Sequence, residues 1–281
     1  MTRVPVGGAQ RRLSLALSPL LAAALLLPFA SVAVGRDVTT ADVASGPSRP
    51  IGYDVSYPQC GTALPSDVAF GIVGVNGGRV YSPNPCLAPE ELEQSQLAWA
   101  GREAELYANT ANPGPDHSSY WPSGQAAPRA CDAHDADSLD CAYDYGWYAA
   151  ADSYASALAA YVALGWTDAD ATHIPVASTW WLDVEVANSW RKDPARNVAA
   201  LQGAVDYLES MGAGSVGFYS APRMWQKITG GTDAFAGHSS WTAGASTLEQ
   251  AEAICQRPGF TGGPVEMAQY FANGFDANHR C

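Results

Sequence analysis

Basic side chains are scarce in this chain. Its 15 lysines and arginines face 28 aspartates and glutamates, for a formal charge of −13. So acidic a protein has no electrostatic footprint for nucleic acid or for an anionic lipid surface. The five histidines are scattered, no C-x-x-C is present, and no Cys/His cluster stands at zinc spacing. Zinc catalysis is therefore not expected, and nothing calls for a metal or another cofactor. No Gly-rich phosphate loop follows the first β-prone segment, and no internal repeat at a fixed period is visible. The nearest approach to a nucleophile elbow, "AGSVG" at 213–217, has Ala213 where glycine is needed. It also lies between helix and strand rather than strand and helix, which excludes a serine hydrolase of that type.

Only the first 35 residues hold a long apolar run. Arg3, Arg11 and Arg12 precede "LSLALSPLLAAALLLPFASVAVG", a charged start, an apolar middle and a small-residue exit. This pattern predicts a cleaved secretory signal over 1–35 and export from the cell. No other stretch is long and apolar enough to span a membrane. The small, polar "RDVTTADVASGPSRP" (36–50) reads as a linker. Cleavage would leave 281 − 35 = 246 residues and, with three arginines gone, a charge of −16. All six cysteines (Cys60, Cys86, Cys131, Cys141, Cys255, Cys281) fall in that part. An even count in an exported chain predicts three disulfides, and of the ~15 pairings open to six cysteines the sequence neighbours favour 60–86, 131–141 and 255–281.

From residue 51 onward, short β-prone segments alternate with helical ones. "IGYDVS" (51–56), "VAFGIVGVN" (68–76), "ELYANT" (105–110) and "TWWLDVEVANSW" (179–190) read as strands, followed by "SVGFYS" (215–220), "SSWTAGA" (239–245), "VEMAQYF" (265–271) and the closing "GFDANHRC". Helices are predicted at 89–104, 145–165, 195–212, 221–229 and 247–256. Such alternation predicts an α/β fold with a parallel sheet and helical crossovers, and the length suits a single TIM-type (β/α)8 barrel over 51–281.

A barrel gives meaning to the acids. Asp183 and Glu185 stand two apart in an otherwise apolar strand, so both side chains point to one face. Asp54 is late in the first strand and Asp276 is in the last, and these two strands are neighbours in a closed barrel. Four carboxylates can then meet at one mouth, where they push each other's pKa values apart. That equipment suits cleavage of a glycosidic bond. Aromatic side chains (Tyr219, Trp241, Tyr270) suit the apolar faces of sugar rings, and the amides of Asn188 and Gln269 suit hydroxyl or acetamido groups. The five aspartates of "CDAHDADSLDCAYD" (131–144) lack the glycine and closing glutamate of a calcium loop, and a solvated, disulfide-closed loop is the expectation there.

The segments "GYDVSYPQ", "WWLDVEVAN", "VGFYS" and "AQYFANGFDAN" occur in the order seen in family 25 glycoside hydrolases, which this chain resembles over residues 51–281. It is similar still more closely to secreted actinobacterial proteins with a glycoside-hydrolase-like domain of that superfamily. The resemblance implies a lysozyme-type barrel acting on a β-linked, N-acetylated polysaccharide such as peptidoglycan, as a secreted monomer. It further implies that Glu185 is the general acid, that Asp183 orients it or holds a substrate acetamido group, and that Asp54 and Asp276 complete the site. Three features depart from the family. The third strand reads "ELYANTANPGP" instead of an aromatic-His-aromatic signature, residues 110–145 form an insertion, and three disulfides are expected. A glycan-binding barrel without turnover is the alternative function.

Overall fold

The computed structural model describes residues 51–166 and 178–281. The signal segment and linker expected at 1–35 and 36–50 lie outside the described residues. Among those described, eight strands close into a barrel in sequence order: β1 (Gly52–Val55), β2 (Phe70–Gly74), β3 (Glu105–Asn109), β4 (Thr179–Asp183), β5 (Ser215–Ser220), β6 (Ser240–Thr242), β7 (Val265–Ala272) and β8 (Phe275–Arg280). The predicted α/β barrel is therefore observed, with one correction. Strands β1 to β7 pair in parallel, but β8 runs antiparallel to both β7 and β1. The cause is local. Asn273 (φ 55) and Gly274 (φ 85) form a two-residue turn between β7 and β8. Successive positive-φ residues of this type join a tight hairpin, and a hairpin can connect only antiparallel strands.

Helices flank the barrel at α1 (Gln96–Ala100), α2 (Leu139–Ala163), α3 (Pro194–Ser210), α4 (Pro222–Thr229) and α5 (Leu248–Cys255). The helix predicted over 89–104 shrinks to a single 3-10 turn at Leu92–Gln94 and the short α1. Ser95 begins α1 by accepting the Ala98 N–H on its side chain, and Gly101 at φ 87 ends it. In contrast, α2 starts six residues before the expected 145, because Ser138 caps it through the Cys141 N–H. Asp193 caps α3 in the same way, with Pro194 in the first turn where its missing N–H costs nothing.

Alternation along each strand sorts side chains into two cores. Val55, Val73, Leu106, Trp180, Leu182 and Phe218 face outward into the layer shared with the helices. Ile72, Trp181, Trp241 and Met267 fill the barrel interior with Phe70, Tyr107 and Tyr219. At the N-terminal end of the barrel Glu105 accepts the Trp181 indole N–H (2.6 Å) and pairs with Arg280, whose guanidinium lies over Phe70.

Helices α2 and α3 cross closely on two glycines. A Cβ on Gly146 would sit 1.7 Å from the Ala200 carbonyl oxygen, and one on Gly203 would sit 2.0 Å from that of Tyr143. Gly203→Ala is expected to cost about 1–3 kcal/mol by overpacking, lowering the thermal midpoint by several degrees. An unchanged midpoint in calorimetry would show that the helices can part freely.

All three expected disulfides form: Cys60–Cys86, Cys131–Cys141 and Cys255–Cys281. The first joins the loops after β1 and β2 on the C-terminal face, the second clips the insertion to α2, and the third ties the last residue to the end of α5. Chain entropy predicts that Cys255→Ser with Cys281→Ser, which opens a loop with a sequence separation of 26, lowers stability by about 3.5 kcal/mol. Denaturant unfolding of the double variant measures it directly.

Candidate active site

The C-terminal ends of the parallel strands meet at one mouth, and the four acids converge there. Asp54 pairs in register with Asp276 across β1 and β8. Asp183 closes β4, and Glu185 lies two residues beyond the strand rather than within it. Pairing nevertheless continues past the strand end: the Val184 N–H donates to the Tyr219 carbonyl, and the Val184 side chain is buried in the outer core. Glu185 therefore returns to the face that Asp183 uses.

Asp54 is only 8 % exposed. One of its oxygens, Oδ2, accepts both the Gln269 amide (3.0 Å) and the Asn278 amide (2.7 Å). Burial, and then the charge of Asp276, push its pKa up to about 7, against the pull of the two amides. The network extends further on each side. Tyr219 donates its hydroxyl to Gln269 Oε1 (2.7 Å), and the Trp241 indole donates to Asn278 Oδ1 (2.8 Å).

Asp183, 4 % exposed, is held by the Asn109 amide on Oδ2, while its Oδ1 is buried with no hydrogen-bond partner. Burial, then the charges of Glu185 and Asp54, raise its pKa well above the ordinary carboxylate range. Asn109 is itself fixed by Asn76, whose Oδ1 accepts the Asn109 backbone N–H at 3.0 Å. Thr110 secures the Asp183 carbonyl through both its N–H (3.1 Å) and its hydroxyl (2.5 Å). Glu185 and Asp276 are half-buried. Burial raises both, and the charge of Asp276 raises Glu185 further. Burial and the neighbouring charges thus favour the protonated form of all four carboxyl groups relative to a free carboxylate.

The remaining expected site residues divide. Tyr219 and Gln269 line the mouth. Asn188 sits on the loop after β4, its N–H donating to the Glu185 carbonyl at 3.1 Å. Trp241 is 1 % exposed and lies beneath Tyr219, with ring centroids 4.5 Å apart. It supports the network from below instead of meeting a ligand. Tyr270 faces the other way: strand alternation turns it outward when Gln269 turns inward, and it packs with Tyr53, Ala251 and Ala277. It is not part of the mouth. Residues 131–144 are engaged structurally: Asp137 pairs with Arg191 and Arg196, Asp140 with Arg129, and Asp144 accepts from Gln125 and the Arg129 N–H.

Three contributors escaped the list of expected site residues. Asn278 belongs to the closing Asp-x-Asn motif, and its amide role needs the β8–β1 register. Asn109 and Tyr107 alternate with Leu106 and Ala108 in β3, a polar-in, apolar-out pattern that marks the inward face. Tyr107 is raised by burial and then by the charge of Asp54, and Ser56 of the opening motif hydrogen-bonds it.

Residues 166–247 match the family model of lysozyme-like protein 1. The matched stretch carries Asp183, Glu185, Asn188 and Tyr219, while Asp54, Gln269 and Asp276 lie outside it. No curated relative matches the sequence. Among solved structures the chain is similar to a muramidase from Trichobolus zukalii (16 % identity over 83 % of this chain and 93 % of that one, TM-score 0.49). A bacterial lysozyme from Streptomyces coelicolor shows 15 % identity over 83 % and 92 % of the two chains, with a TM-score of 0.46. The modular Cpl-1 endolysin, solved with a peptidoglycan analogue, shows 16 % identity over 83 % and 54 %, also with a TM-score of 0.46.

Proposed function

We propose that this protein is a secreted glycoside hydrolase that cleaves a β-linked, N-acetylated polysaccharide, with bacterial peptidoglycan as its substrate. The observation that carries the reading is the convergence of Asp54, Asp183, Glu185 and Asp276 on one barrel mouth, each with a raised pKa. A carboxyl group kept protonated near neutral pH is what a glycosidic leaving oxygen needs, and a second, ionised carboxylate stabilises the sugar centre as positive charge develops. Glu185 fits the acid role because it is accessible and its backbone is anchored: its carbonyl accepts the Trp190 indole N–H (2.7 Å) as well as the Asn188 N–H. Its proton passes to the leaving oxygen as the glycosidic bond breaks, and a water molecule then gives its hydroxyl to the anomeric carbon and its proton back to the carboxylate. The unpartnered Oδ1 of Asp183 offers an acceptor for a substrate acetamido N–H. Asp276, beside Asp54 across β1 and β8, supplies negative charge from the opposite side. The three disulfides fit an oxidising compartment outside the cell.

A second reading, a glycan-binding barrel without turnover, draws on Asn109 standing in the strand where the family carries a histidine signature. The mature protein is expected to release reducing ends from purified peptidoglycan. Co-sedimentation with the polymer and no release would select the binding module instead.

A further inference from the structure

The insertion after β3 builds a second concavity beside the mouth. Its Cys131–Cys141 disulfide fastens it to α2, and Asp137 fastens it to the segment following Glu185 through Arg191 (2.6 Å) and the backbone-bonded Arg196 (2.7 Å). The result is an open groove of about 440 Å³ lined by Arg79, Tyr81, His117, Tyr120, Tyr145 and Asn188, among others. Asn188 belongs both to this groove and to the loop that carries Glu185, so groove and mouth share a wall.

Two features of the groove point to its ligand. Tyr120 stacks on Tyr81 with centroids 4.1 Å apart and planes 10° apart, while Tyr145 meets Tyr81 edge-on. Tyr81 holds a φ of 56, a left-handed backbone conformation that a bulky residue adopts only when its surroundings enforce it. One face of Tyr120 is thus covered, yet the residue remains 57 % exposed. The second feature is charge. In a chain where acids outnumber bases 28 to 15, no carboxylate lines this groove, while Arg79 and His117 do.

We propose that this groove is a distal subsite for a carboxylate-bearing sugar unit of the polymer, with the ring on the open face of Tyr120 and the carboxylate toward Arg79 and His117. The inference rests on the glycan reading above and specifies which units the cleft prefers. Pyranose C–H faces pack on aromatic rings, and an exposed guanidinium favours a carboxylate partner by bidentate geometry.

Binding is measured by titration calorimetry in a Glu185→Gln background with two probes of matched length: peptide-stripped peptidoglycan strands with free lactyl carboxylates, and neutral N-acetylglucosamine oligomers. Tyr120→Ala is expected to weaken both at least tenfold with an unchanged thermal midpoint, and Tyr120→Phe to retain binding. Arg79→Ala is expected to weaken the acidic probe alone, severalfold. If Tyr120→Ala and Arg79→Ala bind both probes like the parent, the subsite is overturned while the glycan reading stands. If Arg79→Ala leaves the acidic preference intact, the assignment of a carboxylate-bearing unit is overturned. If the parent binds neither probe and the wild type releases no reducing ends, the glycan reading falls and the subsite falls with it.

Discussion

Glu185→Gln is expected to abolish reducing-sugar release from peptidoglycan, by a hundredfold or more, while leaving the polymer bound. Glutamine matches glutamate in shape but has no transferable proton. General acid catalysis contributes ~10²–10⁴ in rate, equivalent to about 3–5 kcal/mol of barrier. Binding is preserved because the Glu185 backbone, fixed by Trp190 and Asn188, does not depend on the carboxyl group. The variant therefore separates chemistry from recognition: a loss confined to turnover assigns the acid, whereas full activity would remove Glu185 from that role. The pH dependence of the wild type follows from the same proton. Glu185 must be protonated to act, its pKa is raised by burial and by Asp276, and activity is expected to fall as pH rises past that raised value. An activity that climbs with pH through neutrality would contradict the assignment.

The second large effect concerns stability. The Asp54 carboxyl is pushed up to about 7 in the folded protein against 3.8 for an ordinary aspartate. Between those values the folded state binds a proton that the unfolded state has released, so stability falls as pH rises across this window. Below it both states are protonated and the penalty vanishes; above it the penalty is constant. Integrated over the interval, the cost is on the order of 4 kcal/mol. Asp54→Asn should remove it. Both amide donors, from Gln269 and Asn278, fall on the single oxygen Oδ2, so the one carbonyl oxygen of asparagine can accept both. In denaturant titrations the variant and the wild type are expected to agree at about pH 4 and diverge to roughly 4 kcal/mol in the variant's favour by about pH 8. Parallel curves across that range would show that Asp54 ionises without penalty. The gain in stability should be accompanied by a loss of turnover, since a buried carboxyl group kept in the mouth at a cost to stability is one the proposed reaction uses.

Much of this architecture was legible in the chain. Strand segments such as "SVGFYS" announce themselves by composition and alternation, and the cysteine order alone favoured the pairing that forms. The misreadings have local causes. The antiparallel β8 was signalled by Asn273-Gly274, but the alternation of strands and helices upstream argued for one more crossover. The predicted helix at 89–104 ignored a cap in its middle, Ser95, which restarts the chain at a new helix.

The sequence by itself determined that strands and helices alternate, that acids stand two apart in an apolar run, and that exported-type cysteines come in neighbouring pairs. These are properties of local periodicity and spacing. Only the tertiary structure decided which side chains share the mouth. A strand's period of two turns Gln269 inward and Tyr270 outward, and sends Trp181 into the barrel while Trp180 packs outside it, but composition cannot say which parity faces the axis. The meeting of Asp54 with Asp276, some 222 residues apart in the chain (276 − 54), and the support of Asp183 by Asn109 depend on barrel closure and register, which are set by packing between distant segments.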